Sequence, residues 1–142
     1  MKLELVKDWM TTGVITATPD TTLPDAHQLM DKHTIRRLPV LDNEGRLVGV
    51  VTRGDVRGAE PSDATTLSIW EVNYLLSKLT VGKIMSHNPL TVSPEATIEE
   101  AAKIMLDNKV SGLPVVDESG KEVGIITESD IFRMVVKDWR ED

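Results

Sequence analysis

The first part of the chain shows a succession of hydrophobic and polar patterns that are typical of particular secondary-structure elements. A β-branched stretch at 14–18 precedes a helical apolar pattern that begins after Thr22, a good N-cap residue. Two aliphatic runs follow, at 38–41 and 47–51, and the residues between them, 42–45, include Asp, Asn and Gly. Because such runs separated by turn residues are typical of paired strands, we predict an antiparallel hairpin.

The same order then returns. Residues 6–57 align without a gap on residues 81–132, and 16 of the 52 aligned positions are identical. Thr97 takes the N-cap position of Thr22, and a helix is expected after each hairpin. The chain is therefore predicted to contain two related units, each a strand, a helix, a hairpin and a second helix. The second helix is short in the first unit, ending near Gly58.

The chain is divided by this repeat into a first domain at 1–60, a linker at 61–80 and a second domain at 81–142. A loop at 58–65 is expected to lead into a linker helix capped by Ser68. The segment 1–13 has a partly helical apolar pattern and is expected to dock on the rest of the protein. The chain has more apolar side chains than one small module needs to bury, around Trp70, Leu75, Leu79 and Met134. This excess favours contact between two copies of the chain.

Composition narrows the functional classes. The 142 residues contain no cysteine, which excludes disulfides and thiolate chemistry and suits a reducing cytoplasm. The net charge of −7, without a long basic stretch, argues against general nucleic-acid binding. The sequence has no apolar run long enough for a membrane span. We therefore expect a cytoplasmic protein with neither nucleic acid nor membrane as its partner.

The candidate chemistry lies in a repeated Gly-h-h-Thr-x-x-Asp pattern, where h is aliphatic. It places Thr52 with Asp55, and Thr127 with Asp130, at a junction between a strand and a helix. Such a pair caps a helix without any ligand. It also brings a hydroxyl, a carboxylate and free amide groups together, and a carboxylate can accept hydrogen bonds from both hydroxyls of a ribose. Spacing alone favours neither interpretation.

The complete double pattern resembles a tandem pair of CBS domains, also called a Bateman module, over nearly the whole chain. The linker text from 62 to 76 is similar, in addition, to the acetoin-utilisation regulatory branch of CBS proteins. The resemblance implies an α/β (α+β) fold of two pseudo-symmetric units packed through their small sheets. It also implies clefts between the units that bind AMP, ADP, ATP or S-adenosylmethionine, and assembly into a homodimer. Since members of that branch often continue into a further domain, the chain is expected to be a shorter relative or a fragment.

The resemblance also implies which residues bind the nucleotide. Asp55 and Asp130 match the carboxylates that hold ribose, and Thr52 and Thr127 match the hydroxyls beside them. The first strand of each unit is expected against the base and sugar, and the residues before each Leu-Pro-Val against the base and phosphate. These further residues are Thr16, Ala17, Ile35, Arg36 and Arg37 in the first repeat, and Thr91, Val92, Val110, Ser111 and Gly112 in the second.

The two repeats differ in charge at this segment. His33, Arg36 and Arg37 give the first repeat a positive cluster suited to phosphate, whereas the second has Lys109, Ser111 and Gly112 in this segment. One stronger nucleotide site beside a weaker or empty one is therefore expected. The alternative is that the arginines only pair with some of the 23 acidic residues of the chain.

The sequence lacks the usual parts of an enzyme. Its three histidines lie far apart without metal-ligand spacing, and there is no nucleophile elbow, phosphate-binding Walker loop or dinucleotide fingerprint. We therefore expect a regulatory module that senses an adenosine nucleotide and signals to an unidentified downstream protein, with no catalytic residues, metal or required cofactor; a need for Mg²⁺ is left open. The alternatives are a ligand-free dimerisation scaffold, in which the Thr/Asp pairs are only caps, and an enzyme that uses the cleft.

Overall fold

The structure is a computed structural model that describes residues 3–61 and 66–141. It has mixed α and β structure, as predicted, with two small antiparallel sheets. The elements in chain order are α1 (Val6–Trp9), α2 (Leu23–His33), β1 (Arg37–Leu41), β2 (Leu47–Thr52), α3 (Arg53–Ala59), α4 (Ile69–Lys78), α5 (Val81–Ile84), β3 (Ser86–His87), α6 (Ile98–Asn108), β4 (Gly112–Val116), β5 (Glu122–Thr127) and α7 (Glu128–Glu141).

The chain forms two compact units that do not follow the order of the repeats. One unit, here called the first-repeat unit, is Ile15–Pro89. The other, the second-repeat unit, combines the described parts of Met1–Val14 and Leu90–Asp142. The division at 1–60, 61–80 and 81–142 describes the repeats along the sequence and stays a prediction about their boundaries.

The two predicted hairpins are confirmed and have the same register. Strand β1 pairs with β2 from Arg37 opposite Thr52 onward, and β4 pairs with β5 from Gly112 opposite Thr127. The first turn is held by Asp42, whose carboxylate accepts hydrogen bonds from the backbone N–H groups of Arg46 and Glu44. These bonds favour the charged carboxylate and lower the pKa of Asp42. Asp117 holds the second turn in the same way.

The predicted helix starts are confirmed as well. The hydroxyl oxygen of Thr22 accepts a hydrogen bond from the Asp25 backbone (3.3 Å) at the start of α2. At the start of α6, Thr97 and Glu100 form a complete capping box, with both hydrogen bonds between 3.1 and 3.2 Å. Ser68 caps α4. Each cap satisfies N–H groups that have no partner inside the helix, so the polar residues mark where the helices begin.

Each unit completes its core with a helix from the other repeat. Val6, in α1, is fully buried among the apolar residues of the second repeat, including Leu113 and Ile126. Val81, in α5, occupies the matching place among the residues of the first repeat. Six further buried positions of one core are equivalent to buried positions of the other. A core that lacks its exchanged valine would contain a cavity, so the two repeats depend on each other.

Two glycines allow the exchanged segments to approach the sheets. A Cβ atom on Gly49 would lie 2.8 Å from the Ser86 carbonyl oxygen, and one on Gly124 would lie 2.8 Å from the Thr11 carbonyl oxygen. Thr11 and Ile125 exchange two backbone hydrogen bonds of 2.8 and 2.9 Å at this point. The glycine of the repeated signature is therefore explained by backbone packing before any ligand is considered.

Two strand assignments differ from the sequence prediction. The predicted strand at 14–18 is wrong, because only Ala17 pairs with β1, in a single parallel bridge opposite Val40. Strand β3 was not predicted; its two residues pair with Gly49 and Val50 of β2. Both cases are edge contacts, which depend on tertiary packing more than on the β-propensity of the segment.

Helices α4 and α7 each leave several large apolar side chains on the surface. Helix α4 has no buried residue, and Trp70 is 80% exposed. In α7, Ile131 and Met134 pack on the core of the second-repeat unit, while Phe132 and Trp139 are exposed. Half of the predicted loop at 58–65, residues 62–65, lies outside the described residues, while Gly58 and Ala59 belong to α3 instead of a loop. Among the described helices, none has the length and apolar character needed to cross a membrane.

A salt-bridge cluster joins α2 to α3 at the surface. His27 Nδ1 lies 2.7 Å from Glu60 Oε1, and His27 Nε2 lies 3.0 Å from Asp31 Oδ2. Asp31 also pairs with Arg53, the first residue of α3. The hydrogen bond to Glu60 is the main cause that raises the pKa of His27 above its usual 6.5. Burial opposes this effect, the attraction of Glu60 and Asp31 adds to it, and the nearby Arg53 lowers the pKa slightly.

Replacing Gly49 with alanine should lower the free energy of unfolding by roughly 1–3 kcal/mol, because the new methyl group overlaps the Ser86 backbone. Gly58→Ala is the matched control: no atom lies within 4 Å of its added Cβ, and the position is helical. That variant should be unchanged or more stable by up to about 1 kcal/mol. Urea unfolding of both variants measures the difference, and equal stabilities would contradict the close approach of Ser86.

His27→Gln should change how stability depends on pH. Because the folded state raises the pKa of His27, the stabilisation is complete below about 6.5 and is lost as pH rises through the folded value. The melting temperature of the variant should therefore fall further below the wild type at about pH 5.5 than at about pH 8.5. Glu60→Gln should reduce the pH dependence in the same direction, since it removes the main cause. Melting temperatures of wild type and H27Q that change in parallel with pH would contradict this effect of the cluster on folding.

Candidate functional site

Thr52 and Asp55 form a capping box where β2 meets α3. The Thr52 backbone N–H donates to Asp55 Oδ2 (2.9 Å), and the Asp55 N–H donates to Thr52 Oγ1 (3.1 Å). Within residues 3–61 and 66–141, Asp55 Oδ1 has no hydrogen-bond partner, and the residue is only half-buried. The pair therefore caps the helix and still leaves one carboxylate oxygen able to accept hydrogen bonds from another molecule.

The predicted phosphate-side segment lies next to this pair. Arg37 is directly opposite Thr52 in the strand register, and the Arg36 carbonyl accepts a hydrogen bond from the Arg53 backbone (2.7 Å). Arg36 is exposed, whereas Ile35 and Arg37 are half-buried. The structure thus brings these residues and the capping box to one end of the hairpin.

The predicted base-side residues, Thr16 and Ala17, lie beside the opposite end of β1. The Ala17 N–H donates to the Pro39 carbonyl (2.9 Å), and the Ala17 carbonyl accepts from Leu41 (2.9 Å). Ala17 is buried opposite Val40, about 10 Å along β1 from Arg37 at the usual rise per residue. All seven predicted residues of the first repeat therefore lie along β1 and the start of α3, in one unit.

The second repeat has the same backbone arrangement. Val92 is hydrogen-bonded to Pro114 and Val116 of β4 (3.1 Å each), and Gly112 pairs with Thr127. The Ser111 carbonyl accepts from the Glu128 backbone (3.1 Å), as Arg36 does from Arg53. The remaining predicted residues of this repeat, on the same two segments, are Thr91 and Val110.

The two carboxylates differ in their surroundings. Asp130 is 1% exposed. Its Oδ2 accepts from the backbone N–H (2.8 Å) and the hydroxyl (3.1 Å) of Thr127. Its Oδ1 accepts from the Thr11 hydroxyl (3.2 Å) and forms an ion pair with Arg133. Both oxygens of Asp130 are therefore already engaged by the protein itself.

Sequence reasoning missed both additional partners of Asp130. Arg133 follows it by three residues on one helix, and an acid and a base at that spacing lie side by side, so a signal was present. Thr11 is 119 positions away and carries no such signal. The exchange of α1 brings it to Asp130.

The described residues also form a pocket beside the first-repeat capping box. This pocket lies between α2 and α3 and is lined by none of the predicted site residues; its lining is His27, Met30, Arg53, Val56, Arg57 and Glu60. Throughout 3–61 and 66–141, no three His, Asp or Glu side chains are grouped so that they could hold a metal ion.

Sequence comparison identifies the family of the chain. The CBS domain model matches residues 6–62 and again residues 81–137. A CBS domain-containing protein of Dictyostelium discoideum is 37% identical over 133 residues, which cover 94% of this chain and 92% of that protein. An inosine-5'-monophosphate dehydrogenase of Korarchaeum cryptofilum is 41% identical over 119 residues, 84% of this chain but only 22% of the enzyme.

Solved structures agree with the sequence comparison. CBSX2 of Arabidopsis thaliana, in complex with AMP, has a TM-score of 0.80 and 32% identity, covering 94% of this chain and 97% of that chain. The CBS domain pair of protein MJ0100, in complex with 5'-methylthioadenosine and S-adenosylmethionine, has a TM-score of 0.78 and 31% identity, covering 96% and 99%.

The predicted similarity to acetoin-utilisation proteins also has a structural counterpart. A protein from Vibrio cholerae that is assigned to acetoin utilisation (AcuB) has a TM-score of 0.80 and 29% identity, covering 98% of this chain and 95% of that chain. With two matches to the family model and full-length structural likeness, the chain belongs to the CBS domain family and contains a tandem pair of CBS domains.

Proposed function

We propose that the chain is a regulatory module that binds an adenosine nucleotide or S-adenosylmethionine. The observation that carries this proposal is the likeness, over more than nine tenths of the chain, to CBS pairs solved with AMP and with S-adenosylmethionine. The chemistry of the first repeat supports it. Asp55 has a carboxylate oxygen without a partner in the described residues, and this oxygen can accept hydrogen bonds from the two hydroxyls of a ribose.

The basic residues beside Asp55 suit the phosphate of a nucleotide. Arg36 is exposed and lies one residue from the strand position that faces Thr52, and a guanidinium matches the geometry of a phosphate. The ligand acts by differential affinity: if it prefers one arrangement of the module, its binding increases the population of that arrangement, and a downstream protein can respond to it. Binding without turnover is sufficient for this role.

Loss of the Asp55 carboxylate tests the proposal. Asp55→Ala should weaken AMP binding at least about tenfold, which corresponds to the loss of a hydrogen bond to a charged group. Glu100→Ala is the matched control, since it removes the acidic partner of the Thr97 capping box, which belongs to no predicted site. Both variants should lose about 1 kcal/mol of stability as caps. Calorimetric titration with AMP and S-adenosylmethionine, with and without Mg²⁺, distinguishes a binding role from capping alone.

If neither ligand binds to the folded wild-type protein, the sensing function is wrong. A dimerisation scaffold would then be the better interpretation. Chromatographic recovery of unchanged AMP after incubation would support binding without catalysis, whereas conversion of AMP would indicate an enzyme.

The surface of α7 supports a second property, association into a homodimer. Phe132, Val136 and Trp139 are 64%, 41% and 72% exposed and recur at spacings of four and three residues, which places them on one face of the helix. Large apolar side chains grouped in this way are typical of contact surfaces. A second copy of the chain would bury two such faces together.

Substitution of both aromatic residues, in the variant F132S/W139S, should convert a dimer to a monomer in sedimentation velocity experiments. Leu106→Ser serves as the control, because Leu106 is 79% exposed on α6 and lies apart from this face in the sequence. The control should sediment as the wild type does. A wild type that sediments as a monomer at high protein concentration would contradict the proposal.

A further inference from the structure

The carboxylate of Asp130 has no capacity left for a ligand. A carboxylate offers about four acceptor positions. At Asp130 these positions receive the Thr127 N–H, the Thr127 hydroxyl, the Thr11 hydroxyl and the Arg133 guanidinium. A ribose that approached Asp130 would have to displace one of these donors first.

The difference between the repeats can be traced to Arg133. The equivalent position of the first repeat is Gly58, which has no side chain. Thr11 corresponds to Ser86, but only Thr11 donates to the signature carboxylate of its unit, and only the second repeat adds a cation beside it. A side chain at position 58 would have room, because no atom lies within 4 Å of an added Cβ. Arg133 therefore supplies the charged contact, and Thr11 the neutral one, that distinguish the carboxylate of Asp130 from that of Asp55.

The ion pair is costly to break. Asp130 is buried, and a buried charge that loses its partner is strongly destabilising. The Arg133 side chain is 60% exposed, so it can remain hydrated while its terminal nitrogen holds Asp130. A ligand at this position would gain hydrogen bonds only by giving up stronger ones.

We propose that Arg133 keeps the second repeat from binding nucleotide, so that each chain binds one adenosine ligand, at Asp55. This inference rests on the proposed function for the identity of the ligand. It assigns Arg133 as the residue that determines how many sites are active, acting through Asp130.

The first test counts sites by calorimetry with AMP and S-adenosylmethionine. Wild type should bind one ligand per chain. Arg133→Ala should add a second binding event, giving two per chain, while Arg133→Lys keeps a cation and should remain at one. Arg140→Ala removes an exposed arginine from the same helix and should also remain at one. Two equal sites in the wild type, or fewer than two sites per chain in R133A, would overturn the proposal.

The second test transfers the ion pair to the first repeat. Gly58→Arg places a guanidinium three residues after Asp55, at the spacing of Asp130 and Arg133. This variant should weaken ligand binding at the Asp55 site at least about tenfold. Gly58→Ala, which fits the same space without charge, should bind as the wild type does. Unchanged affinity in G58R would contradict the role of the ion pair, and this arm remains decisive if R133A does not fold.

Ligand-free melting separates this proposal from the proposed function. Removing the partner of a buried carboxylate should lower the melting temperature of R133A by several degrees relative to R140A. If no adenosine ligand binds to the wild type, the sensing function fails while a lowered melting temperature still supports the ion pair. If R133A and R140A melt alike, the ion pair is absent in solution and the inference is overturned.

Discussion

The structure depends on the reciprocal burial of Val6 and Val81. Each valine completes the apolar core of the unit built by the other repeat, and the backbone that follows it lies against a signature glycine, Gly124 or Gly49. A domain of this size has little stability to spare, and a missing core side chain removes a large part of it. The two repeats are therefore expected to fold together as one cooperative system, although each has its own sheet and core.

The same exchange shapes the candidate sites. Because α1 belongs to the second-repeat unit, Thr11, two residues after the end of α1, reaches Asp130. Ser86, which follows α5, enters the sheet beside Val50. The exchange of segments, which completes the two cores, thus also brings a polar side chain to one carboxylate and not to the other. Capping and ligand binding are not exclusive alternatives, since the capping box of Asp55 uses one oxygen and leaves the second without a partner in the described chain.

Near-identical backbones can therefore carry different chemistry. The hairpin registers, turns and caps of the two repeats correspond position by position, down to the left-handed residues Thr34 and Lys109 that end α2 and α6. The differences lie in single side chains, such as Arg37 against Gly112 and Gly58 against Arg133. Duplication supplies a symmetric scaffold, and substitution at a few positions makes its two halves unequal.

The features that arise from neighbouring residues were predicted from the sequence. The repeat, both hairpins with their Asp and Gly turns, and the caps at Thr22, Thr52 and Thr97 were all predictable, because caps and turns form between residues a few positions apart. Tertiary structure alone decided the exchange of α1 and α5, the edge strand β3, the reduction of the stretch at 14–18 to one bridge at Ala17, and the enclosure of Asp130. Each of these depends on contacts between distant parts of the chain, such as the 119 positions that separate Thr11 from Asp130, and no local pattern encodes such a contact.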